Sequence, residues 1–162
     1  MAAPGAFNIR RATLNDADGV LQCLYSAFAP YEHYYTTVAF QDTTLTRDSY
    51  PARLNEMTVF VALDNSDRIV GTIACNVIGD REGHLRGMAV LPEYQATGVA
   101  NKLLACAECE LLRQNCQCIT LDTTEPLQRA MRFYERHGYR RSGKIGDFFG
   151  MPLIEYVRTL PS

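Results

Sequence analysis

Leu85-Arg86-Gly87-Met88-Ala89-Val90-Leu91-Pro92-Glu93-Tyr94-Gln95-Ala96-Thr97-Gly98-Val99-Ala100 is the stretch that decides the architecture. The run from His84 to Val90 reads as a strand, and Pro92 ends its backbone pairing. From Gly98 to about Arg113 the period changes, with Val99, Leu103, Leu104, Ala107, Leu111 and Leu112 at helical spacing. A tight loop of small residues joins the two. The first turn of a helix carries amide N–H groups without intrahelical partners, and the macrodipole adds partial positive charge there. Such a junction suits a phosphate or pyrophosphate. Gly98 permits positive φ or the close approach of an oxygen, and Ala100 is too small to block it. A plain strand-to-helix turn has the same composition, and the loop is neither a Walker A sequence nor a three-glycine dinucleotide fingerprint. Spacing alone therefore indicates an anion site and no more.

Upstream, Phe7-Asn8-Ile9-Arg10-Arg11 alternates like a half-buried first strand. Thr13 or Asn15 can cap a helix carrying Val20, Leu21, Leu24, Tyr25 and Phe28 on one stripe, which Pro30 ends. Tyr31 to Thr46 has no clean period and reads as irregular or partly helical; a short helix is expected from about Arg47 to Asn55. Thr58–Leu63 and Arg68–Val77, separated by Asp64-Asn65-Ser66-Asp67, form a hairpin signature. Downstream, Cys118–Asp122 reads as a strand covered on both faces, and Leu127–His137 as an amphipathic helix stopped by His137-Gly138. Tyr139–Ser142 and Leu153–Leu160 are expected to close the sheet around Gly143, Gly146 and Gly150. The order is a β-meander, then βαβα, then a final strand pair: one mixed α/β domain over residues 1–162, with Met1–Ala6 as a short disordered lead-in.

The remaining composition mostly excludes. A formal net charge of −2 argues against whole-protein attraction to nucleic acid or an anionic membrane. No apolar run approaches the roughly 20 residues that span a bilayer, and the N-terminus lacks a signal-peptide pattern, so a cytoplasmic protein is expected. Of six cysteines, Cys106, Cys109, Cys116 and Cys118 cluster in sequence, but their spacing does not fit the common zinc sites. Free, buried thiols and no metal are expected.

Gln95, Gly98 and Ala100 fill the signature places of motif A in the GNAT superfamily of acyl-CoA-dependent N-acyltransferases, which this segment closely resembles. Met88-Ala89-Val90-Leu91-Pro92-Glu93-Tyr94 resembles the family's lead-in, and Ala130-Met131-Arg132-Phe133-Tyr134-Glu135-Arg136-His137-Gly138-Tyr139 resembles its later helix end. The resemblance spans Phe7 to Leu160 in element order. It implies an α/β (α+β) fold with a mixed, mostly antiparallel sheet of about seven strands, flanked by helices and splayed between strands 4 and 5. It also implies acetyl-CoA as cosubstrate, with its pantetheine arm in the opening beside Met88, Ala89 and Val90. The amides of Gln95, Ala96, Thr97, Gly98, Val99, Ala100, Asn101 and Lys102 would wrap the pyrophosphate. Tyr134 would stand near the thioester sulfur, and a strand amide near Ala89 would polarise the thioester carbonyl. One departure stands out: many relatives carry Asn where this chain has Leu127, after Pro126.

The implied activity is N-acetyl transfer to a primary amine by direct attack on the thioester; the alternative is a catalytically inactive acetyl-CoA-binding sensor or regulatory module. At pH 7 only about one lysine-like amine in 2,500 is neutral, so a base is needed. His84 and Glu82 are the strand candidates, with Glu32 and His33 in the loop, while His84 equally suits a hydrogen-bonded surface role. Tyr134 is the candidate acid, or a side chain that packs against its helix. Tyr31, Tyr34 and Glu32 are the candidate acceptor residues, an aromatic and acidic set suited to a cationic small-molecule or peptide amine, though aromatic clusters also simply pack. A homodimer through the late strands, near Phe148 and Phe149, is expected by analogy.

Overall fold

A computed structural model of the protein describes residues 7–161. The expected lead-in, Met1–Ala6, lies outside the described residues. Seven strands form one sheet: β1 (Asn8–Arg11), β2 (Thr58–Leu63), β3 (Ile69–Gly79), β4 (Glu82–Val90), β5 (Cys118–Thr123), β6 (Arg140–Phe148) and β7 (Met151–Thr159), in the order β1-β2-β3-β4-β5-β7-β6. Every neighbouring pair is antiparallel except β4–β5. Among the described residues five α-helices accompany the sheet: α1 (Ala17–Phe28), α2 (Thr37–Thr44), α3 (Tyr50–Glu56), α4 (Val99–Arg113) and α5 (Gln128–Arg136). None among the described residues is long and apolar enough to cross a membrane.

The parallel pair follows from the connection. Antiparallel neighbours can join through tight turns, as β3–β4 and β6–β7 do, whereas β4 and β5 are linked by α4, a crossover that must carry the chain back along the sheet. Val99, Leu103, Leu104, Ala107 and Leu111 of α4 are all buried in the core, against the side of the sheet that includes Gly71 and Gly83. Val20, Cys23 and Leu24 of α1 are buried in the same core. Entry to α1 is held by a capping box. Asp16 accepts from the Thr13 amide at 2.8 Å and from both terminal nitrogens of Arg10, at 2.8 and 2.9 Å.

Three segments differ from the sequence reading. The stretch read as irregular folds into a 3₁₀ turn, Ala29–Tyr34, and then α2, capped where the Thr36 hydroxyl accepts from the Ala39 amide. Its buried face is only Ala39, Phe40 and Thr44, too short an apolar stripe to show periodicity. The next helix begins at Tyr50 rather than near Arg47, because Thr46 and Ser49 bond one another in a turn and Pro51 then sits in the first helical turn. Strand β6 continues to Phe148. It is an edge strand whose side chains are exposed from Arg140 to Asp147, so no buried alternation marks it. The six thiols are free, and Cys109 is exposed rather than buried.

Candidate active site

Strands β4 and β5 pair from Glu82↔Cys118 to Leu85↔Leu121 and then part. Beyond that point β4 stays with β3 and β5 stays with β7. The β3–β4 register slips between Thr72↔Ala89 and Ala74↔Arg86, a bulge that contains Gly87 at φ +64°. A Cβ there would lie 3.0 Å from a terminal nitrogen of Arg53, so glycine serves both the backbone angle and the close approach. The bulge leaves the Met88–Val90 edge of β4 facing a cleft of about 430 Å³, whose walls include Met88, Ala89, Val90, Gln95, Gly98 and Tyr134. We call this the donor cleft.

At one end of this cleft stands the strand-to-helix loop. Gly98 takes φ +93° as the N-cap of α4, and Ala96 also lies in the left-handed region, at φ +63°. The Gln95 amide is bonded to the Pro92 carbonyl at 3.3 Å, and the Lys102 amide to the Gly98 carbonyl at 3.1 Å. Among the described residues the amides from Ala96 to Asn101 have no such partner, which narrows the expected cradle by one residue at each end. Apart from its chain neighbours, no atom of the described residues lies within 4 Å of the place a Gly98 Cβ would occupy, and no acidic residue stands in the first turn of α4. These features fit a pyrophosphate. Arg129, on α5, donates to the Gln95 side chain at 2.7 Å and brings a guanidinium to the loop.

Tyr134 is 7 % exposed on α5 and lies edge-on to Tyr139 and Phe133. Its hydroxyl has no hydrogen-bond partner among the described residues, and burial raises its pKa well above the ordinary phenol value. It therefore remains protonated at every physiological pH.

On the other side of the splay lies a second cleft of about 720 Å³. Phe28, Leu85–Gly87, Asp122, Thr123 and Leu127 line both clefts, so the two meet there. His84 lines the second. In register it sits between Asn76 on β3 and Thr120 on β5. Its Nδ1 is 2.8 Å from the Thr120 hydroxyl and its Nε2 is 3.6 Å from an Asp122 carboxylate oxygen. Burial lowers the His84 pKa; Asp122, Glu155 and Glu82 pull the other way, and Arg86 adds to the lowering. Burial likewise raises the Asp122 pKa against the opposing pull of His84. Although the pair is within ion-pair range, desolvation outweighs attraction at both partners, so the imidazole's pKa falls and the carboxyl's rises. The cleft is roofed by straps from the α1–α2 segment: the Thr36 hydroxyl donates to the Phe149 carbonyl at 3.0 Å, and the Tyr35 and Thr124 hydroxyls are 2.9 Å apart.

The structure does not gather every expected residue. Glu82, at the start of β4, lines neither cleft, so its influence on His84 is electrostatic only. Tyr31 lines the donor cleft rather than the acceptor side. Tyr34 is 57 % exposed and stacks on His33, and Glu32 and His33 line a separate shallow pocket. These residues follow one another in a 3₁₀ turn, whose tight winding sends successive side chains in different directions. Thr97 and Val99 do not line the donor cleft: the Thr97 hydroxyl bonds the Tyr94 carbonyl, and Val99 is core. The sequence reading missed Asp122, Arg53 and Thr123. Arg86 pairs with Asp42, and Arg53, 7 % exposed behind Gly87, has its pKa lowered to about 10 by burial and by Arg86. No local signal marks them, because only strand register and the packing of α2 and α3 bring them to the splay.

Solved structures share this architecture. The fold is similar to that of an acetyltransferase of the GNAT family from Staphylococcus aureus (TM-score 0.78, 22 % identity, covering 96 % of this chain and 100 % of that one). It is also similar to a PaiA N-acetyltransferase from Thermoplasma acidophilum in complex with coenzyme A (TM-score 0.73, 17 % identity, 95 % and 99 % covered). At those identities the likeness defines the fold: a splayed mixed sheet of the acetyltransferase kind. Residues 21–139 match the Acetyltransferase (GNAT) family, and the chain belongs to that family. A curated relative, N-alpha-acetyltransferase 30 of Schizosaccharomyces pombe, is 35 % identical over 104 residues, 60 % of this chain and 69 % of the relative.

Proposed function

We propose that the protein transfers an acetyl group from acetyl-CoA to a primary amine. One observation carries this reading: the loop with unpartnered amides, the buried phenol of Tyr134 and the imidazole of His84 lie along two clefts that join where β4 and β5 part. The amides of Ala96–Asn101 suit the pyrophosphate, and the open β4 edge at Met88–Val90 suits the amide-bearing arm. Acetyl-CoA supplies the activated thioester. The residues of the chain supply position and proton transfer.

His84 is suited to be the base. The Thr120 hydroxyl is also 3.4 Å from the Gly83 carbonyl. With its proton directed there, Nδ1 of His84 donates to Thr120 and Nε2 keeps its lone pair on the side of Asp122. A proton taken from the attacking amine onto Nε2 is then stabilised by the neighbouring carboxylate. As the new C–N bond forms and the C–S bond breaks, Tyr134 supports the departing sulfur. A phenol is a weaker acid than a thiol, and burial widens that gap, so Tyr134 acts mainly as a hydrogen-bond donor to the thiolate. The curated relative's name supports a peptide N-terminal amine as one acceptor.

Calorimetric titration with acetyl-CoA, followed by thiol release in the presence of peptide and small amines, tests the proposal. Binding together with amine-dependent thiol release is the expected result. A folded protein that binds no acetyl-CoA would overturn it.

A further inference from the structure

The two clefts differ in sign. Arg86, Arg129 and Arg136 line the donor cleft against a single carboxylate, Asp122. The acceptor cleft reverses this, with Asp42, Glu56, Asp122 and Asp147 against Arg86 alone. Arg86 is already paired with Asp42, and Arg53 is buried behind Gly87 rather than lining the wall. Among the described residues Glu56 and Asp147 form no ion pair, while Asp122 stands 3.6 Å from His84. Asp147 accepts only a long bond, 3.4 Å, from the Gly150 amide.

A second, independent feature points the same way. Among the described residues, the Thr123 hydroxyl, on a residue only 4 % exposed, and the Asn76 carbonyl oxygen are buried without a hydrogen-bond partner, and both residues line this cleft. The Asn76 oxygen can only accept, and the Thr123 hydroxyl can accept as well as donate. Buried acceptors left without donors are unfavourable until a donor arrives. The complement of orphan acceptors beside unpaired carboxylates is a ligand rich in N–H groups and positive charge. An anionic acceptor would be repelled, and an amine with a purely apolar tail would leave these groups unmatched.

We infer that the acceptor carries a second cationic nitrogen besides the one acetylated, as in a diamine or in a peptide with a basic residue beside its N-terminus. The inference rests on the amine-acetyltransferase reading and narrows its substrate class. The carboxylates of Glu56 and Asp147 in this cleft are the partners for that second charge.

The test compares matched acceptors by thiol release: hexamethylenediamine against hexylamine, and a peptide with arginine as its second residue against the same peptide with glutamate. We expect kcat/KM at least about tenfold higher for the dicationic member of one pair or both, which also tells the two sources apart. The preference should fall several-fold in Glu56→Gln and Asp147→Asn and in high salt. A parallel calorimetric titration of CoA-saturated protein with the two small amines separates the inference from the reading beneath it. Selective binding of the diamine without any turnover would reject the transferase reading and keep the cationic site. Equal binding and equal rates across both pairs would overturn the inference.

Discussion

At the residue scale, Tyr134 and His84 make distinguishable predictions. Tyr134→Phe removes one hydroxyl that has no hydrogen-bond partner among the described residues, so stability and acetyl-CoA affinity should be unchanged while kcat falls by about 10²-fold. Calorimetry beside a thiol-release assay reads both quantities, and unchanged turnover would return Tyr134 to a packing role. For His84 the sign follows from burial, which lowers its pKa below the ordinary histidine value of about 6.5. Proton acceptance requires the neutral ring, so kcat/KM should rise with pH on a limb centred below about 6.5 and be flat on that side at pH 7. His84→Gln should erase the limb and lower the plateau by about 10²-fold. A limb centred above the ordinary value would show that Asp122, rather than burial, governs the group.

At the scale of elements, the α4 N-terminus and the α1 entrance can each be broken separately. Gly98→Val places a branched side chain at φ +93°, a strain of about 1–2 kcal/mol, beside the loop amides. The dissociation constant for acetyl-CoA should rise about tenfold or more in calorimetry, with the far-ultraviolet dichroism of the fold retained. Asp16→Ala removes the carboxylate that caps the first turn and grips Arg10, which should cost about 1–2 kcal/mol in urea unfolding at neutral pH. The hydrogen bond from Arg10 holds the Asp16 pKa below its ordinary value, with burial opposing. A depressed carboxylate pKa stabilises the fold above the unfolded value, near 3.9, and loses that contribution as pH falls through the folded one. The difference between wild type and Asp16→Ala should therefore shrink on acidification below about pH 4.

At the scale of the whole molecule, a donor cleft formed only where β4 and β5 part in the native sheet binds only the folded chain. Acetyl-CoA at a hundred times its dissociation constant should then stabilise the fold by about 2.7 kcal/mol. For a chain of this length that raises Tm by roughly 5–10 °C, measurable by scanning calorimetry, and Gly98→Val should lose most of the shift. A Tm that ignores acetyl-CoA would count against the donor site as a whole.

The sequence by itself determined whatever rests on neighbours along the chain. Gly98 before an apolar helical stripe marked the start of α4, the β2–β3 hairpin was legible from its polar turn, and the stripe ending at His137-Gly138 marked α5. These signals are periodicity, capping and φ preference, all local. Only the tertiary structure decided the acceptor side. Asp122 meets His84 because β5 is parallel to β4 in one register, and Asp42 and Arg53 arrive on helices too short to show an apolar face. It likewise turned Tyr34 and Glu32 away from the cleft they were expected to line, since a 3₁₀ turn scatters adjacent side chains. Carboxylates distant in sequence carry no mark of their future neighbours; sheet register and helix packing supply the low-dielectric surroundings and unpaired charge that make them a site.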